Sequence, residues 1–486
     1  MIRTQLWRAA IACAVGASTA PLAAQQPTGA LDRTVAPAAG PAPAIHFPEW
    51  TQTTLANGAT LVVSQRHALP LVAVTVEFIG GADQYEPPNE RGLANFVASM
   101  LSEGTTTRTG DQLSNAIQLL GGQISTNIGG ESGGIRFTVM KDKLQPMLDL
   151  VNDMMLHPTF PEAALDRLRS RSIVGLAQLR DRTSGIASIV FPKLLYTTDH
   201  PYGRTPTEAS YNAITRADLE AFHRAYFTPG HAEITVVGDV NPADVKRMFD
   251  RAFADWPAGG SVPSFSYPAP PAPGPTTIFL VDKPGAAQST FAVGEVGPPR
   301  NTPDYYALRV LNSFFGELFQ SRLNADIREQ KGYSYGVFSR FAYGRGPGPF
   351  EAGGDIVTAK TDSALIEFMA QLRGIRGGRP ITDDEMTAAR NALIQSLPAQ
   401  FASDAAVNAA ITGIYANGLE RNYYQNFVKQ VNAVTKDDVL RVARKYIDPE
   451  HMVILIVGDR AKIEAPLAAT GIAPIVRLNV EGERIE

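Results

Sequence analysis

The chain has 486 residues, of which 44% are hydrophobic and 19% are charged, and its formal net charge at pH 7 is −4. This length accommodates several domains with large cores, and the composition is that of an ordinary globular protein. The near balance of charge gives no basic field, which argues against binding to nucleic acid or to an anionic membrane surface.

The first residues have the layout of a secretory signal peptide. Arg3 and Arg8 precede a short apolar stretch, Ala9–Ala20, which is followed by small residues. The stretch is too short to span a membrane. We therefore expect residues 1–24 to direct export to the periplasm and residues 25–44 to form a disordered tail. A frayed apolar N-terminus is the alternative interpretation.

The predicted elements follow the same order in two parts of the chain. Runs rich in β-branched residues predict strands, and apolar residues at helical spacing predict a long helix after each pair of strands. In chain order these are strands Thr60–Val63 and Val72–Gly80 with helix Gly92–Ser102, then strands Thr276–Val281 and Ser289–Val293 with helix Tyr305–Phe319.

An internal repeat relates the two parts. Tyr211–Asp239 and Val431–Asp459 align without a gap, and 12 of their 29 positions are identical. In each copy a threonine, Thr215 or Thr435, begins a helix as an N-cap, and an apolar run that ends in Gly-Asp predicts a strand. The repeat predicts two homologous halves.

Two histidines hold equivalent places in the repeat. His231 and His451 each lie just before the predicted strand. A metal ligand would not be expected in both copies, so we predict structural roles for both.

A proline-rich stretch, residues 256–275, separates the halves. Such a stretch favours extended polyproline geometry and acts as a semi-rigid tether. We predict an α+β fold of two homologous halves, residues 45–255 and 276–475, each a mixed or antiparallel sheet packed with helices. Residues beyond 475 are assigned to no element.

Several segments of the first half resemble the pitrilysin/insulinase-type family, the zinc peptidases with an inverted H-x-x-E-H motif. The resemblance covers nearly the whole mature chain and implies a clamshell-like arrangement of the halves. The segments that carry it are Leu55-Ala56-Asn57-Gly58, Gly80-Gly81-Ala82-Asp83, Arg91-Gly92-Leu93-Ala94, Met100-Leu101, Glu103-Gly104-Thr105, Pro158-Thr159-Phe160 and His200-Pro201-Tyr202-Gly203.

The catalytic motif of that family is missing from this chain. Asn95 and Ser99 stand where the two zinc-binding histidines belong, and Ala98 stands where the general base belongs. The family's further glutamate ligand lies downstream on another helix, but Ser172–Leu179 contains no acidic residue. Asparagine, serine and alanine cannot supply the ligands and base that zinc hydrolysis needs. We therefore expect no metal in this chain and no hydrolysis by it alone.

A second element of the family is retained. Arg328 is followed seven residues later by Tyr335, within a segment resembling the family's second half. The resemblance implies that this pair donates hydrogen bonds to the peptide carbonyl as negative charge develops on it. The alternative is structural, with Arg328 paired on its helix and Tyr335 packed in a strand.

The resemblance also implies how a peptide is held. Family members hold extended peptides by strand addition to a sheet edge in the first half. The candidate edge here is Gly121–Gly134, with Asn127, Gly129 and Gly130 as candidate binding residues because glycine permits close backbone approach. A flexible hairpin explains the same residues.

The sequence therefore predicts the non-catalytic, substrate-polarising subunit of a heterodimeric zinc peptidase, with zinc in a related partner that carries an intact H-x-x-E-H. A non-enzymatic peptide-binding or scaffold protein of the same fold is the alternative. A match to G-x-S-x-G at Gly332–Gly336 suggests a serine hydrolase, but a helix precedes it and a β-like run follows, the reverse of a nucleophile elbow.

Overall fold

The computed structural model of the protein describes residues 47–486. The predicted signal peptide, residues 1–24, and the predicted tail, residues 25–44, lie outside the described residues. Along the part that is described, no helix is both long enough and apolar enough to cross a bilayer.

The first half contains a six-stranded mixed sheet with the strand order β1-β2-β6-β3-β5-β4. Only β2 and β6 run parallel, so the sheet is mainly antiparallel. β4 lies at one edge. The strands are β1 Thr51–Thr54, β2 Thr60–Gln65, β3 Leu71–Ile79, β4 Gln123–Ile128, β5 Ser132–Met140 and β6 Ala232–Gly238.

Nine α-helices belong to the first half in the described chain, and most of them pack on the same face of this sheet, its inner face. They are α1 Ala82–Tyr85, α2 Leu93–Met100, α3 Gly110–Leu119, α4 Leu144–Leu156, α5 Glu162–Arg180, α6 Thr183–Tyr196, α7 Glu208–Ala213, α8 Arg216–Tyr226 and α9 Pro242–Ala252.

The second half repeats the plan with the strand order β12-β7-β11-β8-β10-β9. The strands are β7 Thr277–Asp282, β8 Gln288–Val296, β9 Ser334–Phe341, β10 Pro349–Val357, β11 Val453–Gly458 and β12 Ile475–Leu478. The helices are α10 Tyr305–Asn312, α11 Thr361–Arg373, α12 Asp383–Gln395, α13 Asp404–Ala416, α14 Tyr423–Ala433, α15 Lys436–Tyr446 and α16 Arg460–Ala469, and π-helical segments follow at Ser313–Glu317, Asn324–Gln330 and Gly374–Gly378.

The two copies of the sequence repeat form equivalent elements, which confirms the predicted fold of two homologous halves. Thr215 caps α8 and Thr435 caps α15, each in a reciprocal bond with the aspartate three residues on. Each helix leads into a central strand, β6 or β11, which is almost entirely buried. The capped helix thus supplies the inner layer, and the strand supplies the middle of the sheet.

One helix of each half packs on the sheet of the other half. α13 lies on the outer face of the first sheet, where Val407, Ile411 and Ile414 pack with Val62 and Val237. In return, α6 packs on the outer face of the second sheet. Because each fully buried aliphatic side chain contributes about 1.5–3 kcal/mol, this exchange ties the two halves together strongly.

A buried asparagine fixes α13 on the sheet of the first half. Asn408 is only 3% exposed. Its amide donates to the carbonyls of Ala73 and Thr235 at 3.1 and 2.7 Å, and its oxygen accepts from the Thr75 hydroxyl at 2.5 Å. Full use of a buried amide specifies the position of the helix, because any shift would leave polar groups unpaired.

Candidate functional site

The degenerate motif lies on α2, whose start is held by a buried carboxylate. Glu86 accepts hydrogen bonds from the N–H groups of Gly92 and Ala94 at 3.1 and 2.8 Å. Gly92 has a φ of 108°, and a Cβ there would lie 2.6 Å from the ring of Tyr211. The helix therefore begins at a position that only glycine fills without strain.

The side chains along α2 bind one another or the neighbouring strand. Ser99 donates to the Asn95 side-chain oxygen at 3.3 Å, one helical turn away. Ala98 is buried, and its carbonyl accepts from the Thr126 hydroxyl on β4 at 2.8 Å. α2 is thus attached to the edge strand of the sheet, and its exposed face carries an amide and a hydroxyl.

These residues do not fit the zinc ion that the resemblance implies at this place. An amide and a hydroxyl are poor zinc ligands, and alanine provides no base. The stretch Ser172–Leu179 lies on α5, which packs against α2, and it offers the exposed Val174 but no carboxylate. Among the residues from 47 onward, no three His, Cys, Asp or Glu side chains are grouped to hold a metal.

The described histidines have structural partners instead. His231, from the first copy of the repeat, is buried and bonded to the Ile79 carbonyl at 2.8 Å, whereas His451, from the second, lies beside Asp448 at 2.7 Å. The other contacts are His67 with Asp239, His157 with Asp255, His200 with the Tyr202 N–H and His223 with the Met155 carbonyl.

The first sheet ends at an open edge strand. In the part of the chain that the structure describes, the backbone of β4 pairs with β5 and with no other strand. Asn127 is exposed on β4 and stands opposite Gly134 on β5. An edge strand of this kind can accept a further strand through its outward N–H and C=O groups.

The predicted glycines lie at the hairpin tip rather than along this edge. The carbonyls of Gly129 and Gly130 accept hydrogen bonds from the N–H groups of Ala82 and Asp83 at 2.8 and 2.9 Å. These bonds fix the hairpin to the start of α1. Of the three predicted peptide-binding residues, Asn127 is the one on the open strand, and the binding role of all three stays a prediction.

A carboxylate next to the tip joins four parts of the chain. Glu131 accepts from the hydroxyls of Tyr202 and Tyr267, the latter at 2.6 Å, and from the N–H of Arg345 at 2.8 Å. Tyr267 comes from the proline-rich stretch, and its ring stacks on His200 at 5.7 Å. The tether is thus held against both halves, and burial together with Glu131 raises the pKa of Tyr267, which stays protonated as a donor.

The predicted Arg/Tyr pair lies in the second half. Arg328 is in the π-helical segment Asn324–Gln330, with its Nη1 2.9 Å from Glu329 and its guanidinium carbon 3.9 Å from the centre of the Phe319 ring. Tyr335 is in β9 and is 91% exposed. The phenol is therefore presented to solvent instead of being packed in the core.

A buried amide closes the edge of β9 beside this pair. Asn324 accepts from the N–H of Val337 at 3.0 Å and donates to the carbonyl of the same residue at 2.8 Å. Gly316 lies in close contact with the same strand, because a Cβ there would lie 2.3 Å from the Ser339 nitrogen. The second sheet therefore has no open edge at β9 equivalent to β4.

Ser334, the serine of the G-x-S-x-G match, has a structural environment. It is 8% exposed, and its hydroxyl bonds to the carbonyls of Gly336 and Asp355 at 2.9 and 2.7 Å. A π-helical segment precedes it and β9 contains it, which is not the strand-then-helix context of a nucleophile elbow.

Two family models match the sequence, one within the first half and one from the end of the first half through most of the second. Residues 61–195 match the model described as insulinase (peptidase family M16), and residues 213–393 match the model described as the peptidase M16 inactive domain. The chain belongs to the M16 family. Membership confirms the predicted resemblance. The assignment of α2 as the helix that carries the motif in zinc-bearing members stays a prediction.

Similar proteins support the M16 assignment. The Bacillus subtilis protein named uncharacterized zinc protease YmxG is 26% identical over 290 residues, 59% of this chain and 68% of that protein. A probable mitochondrial-processing peptidase subunit beta of Arabidopsis thaliana is 23% identical over 423 residues, 85% of this chain and 78% of that protein. The crystal structure of a peptidase M16 inactive domain from Pseudomonas fluorescens superimposes with a TM-score of 0.77 at 24% identity, covering 84% of this chain and 98% of that one.

Three residues that shape this M16 chain escaped the sequence analysis: Glu131, Asn324 and Phe319. Glu131 and Asn324 are single polar residues whose partners are set by the tertiary fold, and Phe319 lies where a plain helix was predicted. The signal that could have drawn notice was the position of Asn324 one helical turn before Arg328, next to the family-like segment.

Proposed function

We propose that this chain is the non-catalytic, substrate-binding and substrate-polarising subunit of a heterodimeric M16 zinc peptidase that degrades unstructured peptides. A related chain with an intact H-x-x-E-H would be the partner and would carry the zinc. Both chains would act after export to the periplasm.

The observation that carries the proposal is a contrast between two elements. α2 presents an amide, a hydroxyl and a buried alanine, which fit neither zinc binding nor general-base catalysis. The segment around Arg328 is held firmly by Asn324, and it presents a 91% exposed tyrosine. A chain used only as a scaffold would have no need for both an exposed phenol and a guanidinium held by a neighbouring ring in the same segment.

The chemistry of this pair suits a carbonyl that gains negative charge during attack. A guanidinium and a phenol both donate hydrogen bonds, and donors that are already in place stabilise such charge without reorganisation. The open edge of β4 would hold the peptide as an added strand. This chain would thus supply binding and polarisation, while bond cleavage would depend on the partner.

The test uses this chain and an intact-motif partner, assayed separately and mixed with an unstructured quenched-fluorescent peptide. Activity only in the mixture, with a decrease of about 100-fold in kcat for Arg328→Ala or Tyr335→Ala, is the expected result. Arg340→Ala is the matched control, because Arg340 is also exposed on β9 but pairs with Glu351 at 2.9 Å.

A scaffold function is the second candidate, and the replacement of the zinc motif by Asn95, Ala98 and Ser99 is compatible with it. If the partner alone were as active as the mixture, and if neither substitution changed the rate, the division of labour between two subunits would be wrong. Tight binding of uncleaved peptide by the chain alone would then identify it as a peptide-binding scaffold.

A further inference from the structure

The surface around Arg328 carries unusual apolar exposure. Among the large hydrophobic side chains of the described residues, the three most exposed are Tyr335 at 91%, Leu119 at 85% and Phe319 at 65%. Two of these three aromatic or aliphatic groups lie in the short stretch that contains Arg328. Of these two, Phe319 contacts Arg328, and an exposed apolar group beside a charged group is typical of contact surfaces.

Phe319 already has one contact, and it is with Arg328. The guanidinium carbon of Arg328 lies 3.9 Å from the ring centre of Phe319, which is close enough for a favourable cation–π interaction. Glu329 lies 2.9 Å from Nη1 and neutralises the charge from another side. The ring therefore restricts where the guanidinium lies, while most of the ring surface stays exposed.

A phenylalanine–arginine pair on β9 itself has a different geometry. Arg340 lies 5.5 Å from the centre of the Phe338 ring, and its guanidinium is bound by the Glu351 carboxylate on β10 instead. Phe338 is 37% exposed. A carboxylate pairs with each arginine, but the Phe319 ring lies much closer to Arg328 than the Phe338 ring lies to Arg340.

We propose that Phe319 fixes the position of Arg328 and offers its exposed ring surface to a bulky apolar side chain of the bound peptide. The substrate class would be unstructured peptides with a large apolar residue beside the polarised carbonyl. The positioning role rests on the proposed function, whereas the apolar contact can be measured on this chain alone.

The first experiment measures peptide binding without any partner. Fluorescence anisotropy would compare two labelled unstructured peptides that are identical except for a central phenylalanine or serine. Phe319→Ala should weaken binding of the phenylalanine peptide by about tenfold, because one apolar contact is worth roughly that factor. It should leave binding of the serine peptide nearly unchanged. Phe338→Ala is the matched control and should change neither affinity.

The second experiment separates positioning from contact in the mixture with the partner. Phe319→Leu keeps an apolar side chain but removes the aromatic face, so kcat should fall by about tenfold while KM is unchanged. Phe319→Tyr keeps the aromatic face, so its kcat should be close to that of the parent chain. Because both variants change an exposed side chain, folding should be preserved, and circular dichroism would verify it.

The outcomes distinguish the two proposals. If Arg328→Ala lowers kcat but Phe319→Leu matches the parent chain, Phe319 does not position Arg328. If Phe319→Ala binds both peptides as the parent chain does, the apolar contact is refuted. If Arg328→Ala has no effect on cleavage, the proposed function fails, and the binding experiment still decides whether Phe319 contacts peptide.

Discussion

β4 and β9 occupy the same place in the two homologous sheets, but their outer edges differ. The edge of β4 pairs with nothing beyond β5 in the described chain, and only its tip is bonded to the start of α1. The edge of β9 is closed by the Asn324 side chain, which satisfies both backbone groups of Val337. Equivalent edges of the two sheets are therefore open to another strand in the first half and sealed in the second.

The difference shows how a repeated fold can divide two tasks. An open edge suits the binding of an extended chain, whereas a sealed edge holds neighbouring side chains in fixed places. Arg328 and Tyr335 lie beside the sealed edge. The degenerate α2 lies beside the open one, to which Thr126 attaches it.

Loss of the tip anchor should have the largest effect on stability. Glu131→Ala leaves the hydroxyls of Tyr202 and Tyr267 and the N–H of Arg345 without their acceptor, so we expect a loss of about 3 kcal/mol or more in the free energy of unfolding. Urea denaturation would measure it. Tyr202→Phe removes one donor to Glu131 together with an acceptor of the Gly346 N–H, and it serves as the milder control. An unchanged midpoint for Glu131→Ala would show that the tip needs no such anchor.

Loss of the Asn324 side chain, which closes the edge of β9, should have the next-largest effect on stability. Asn324→Ala leaves the N–H and C=O of Val337 unpaired, with an expected cost of about 2–3 kcal/mol. The exposed edge should also promote self-association, which size-exclusion chromatography would detect. Asn324→Asp keeps the acceptor for the Val337 N–H, so its stability should lie between that of the parent chain and that of Asn324→Ala. Equal stability of all three would contradict the sealing role.

The affinity of a peptide for the open edge of β4 should depend on the backbone N–H groups of the peptide. If a peptide adds to β4 as a strand, N-methylation of alternate residues in one register should reduce its affinity for this chain by about tenfold, which corresponds to ~1.4 kcal/mol for lost backbone hydrogen bonds. Methylation in the other register should have little effect, because those N–H groups point away. Equal affinities for both methylated peptides, measured by anisotropy, would rule out strand addition.

The outer faces of the two sheets differ in their titrating groups, and the effect of this difference on stability should depend on pH. Glu77 and Glu233 stand opposite each other on β3 and β6, and burial together with Glu77 raises the pKa of Glu233 to about 9. The equivalent second face has Thr290 bonded to Asp355 instead. Because the folded protein holds this proton from about pH 4.5 to 9, stability should fall as the pH rises through that window.

Glu233→Gln tests this pH dependence, since the amide resembles the protonated acid. The variant should melt a few degrees higher than the parent chain at pH 8 and at nearly the same temperature at pH 5. Thermal unfolding followed by circular dichroism at both values would measure the difference. A variant that melts lower at pH 8 would mean that Glu233 is ionised and stabilising there.

The sequence allowed the two-sheet plan to be predicted because the repeat is strong and local. Thr215 and Thr435 cap equivalent helices, and the strands after them are marked by β-branched residues. The exchange of α6 and α13 could not be predicted, because an apolar helix face does not reveal which sheet will cover it. β12 also escaped, since four residues, Ile475–Leu478, give no clear period.

For the candidate site, the sequence located the elements but not the contacts between them. The resemblance placed Asn95, Ala98 and Ser99 on one helix and Arg328 near Tyr335. It could not show that Asn324 closes β9 or that Phe319 stacks on Arg328, because these contacts depend on an irregular π-helical path. Such geometry is set by packing against β9 rather than by local propensity.

The packing of α13 on the sheet of the first half has a consequence for the order of events during synthesis. The first sheet is complete once β6 ends at Gly238, but its outer cover, α13, begins only at Asp404. At a translation rate of about 5–20 residues per second, that gap corresponds to roughly 10–30 s during which Val62 and Val237 remain uncovered on the nascent chain. A ribosome-bound chain stopped before α13 should therefore recruit holdase chaperones, and release should follow once α13 has emerged.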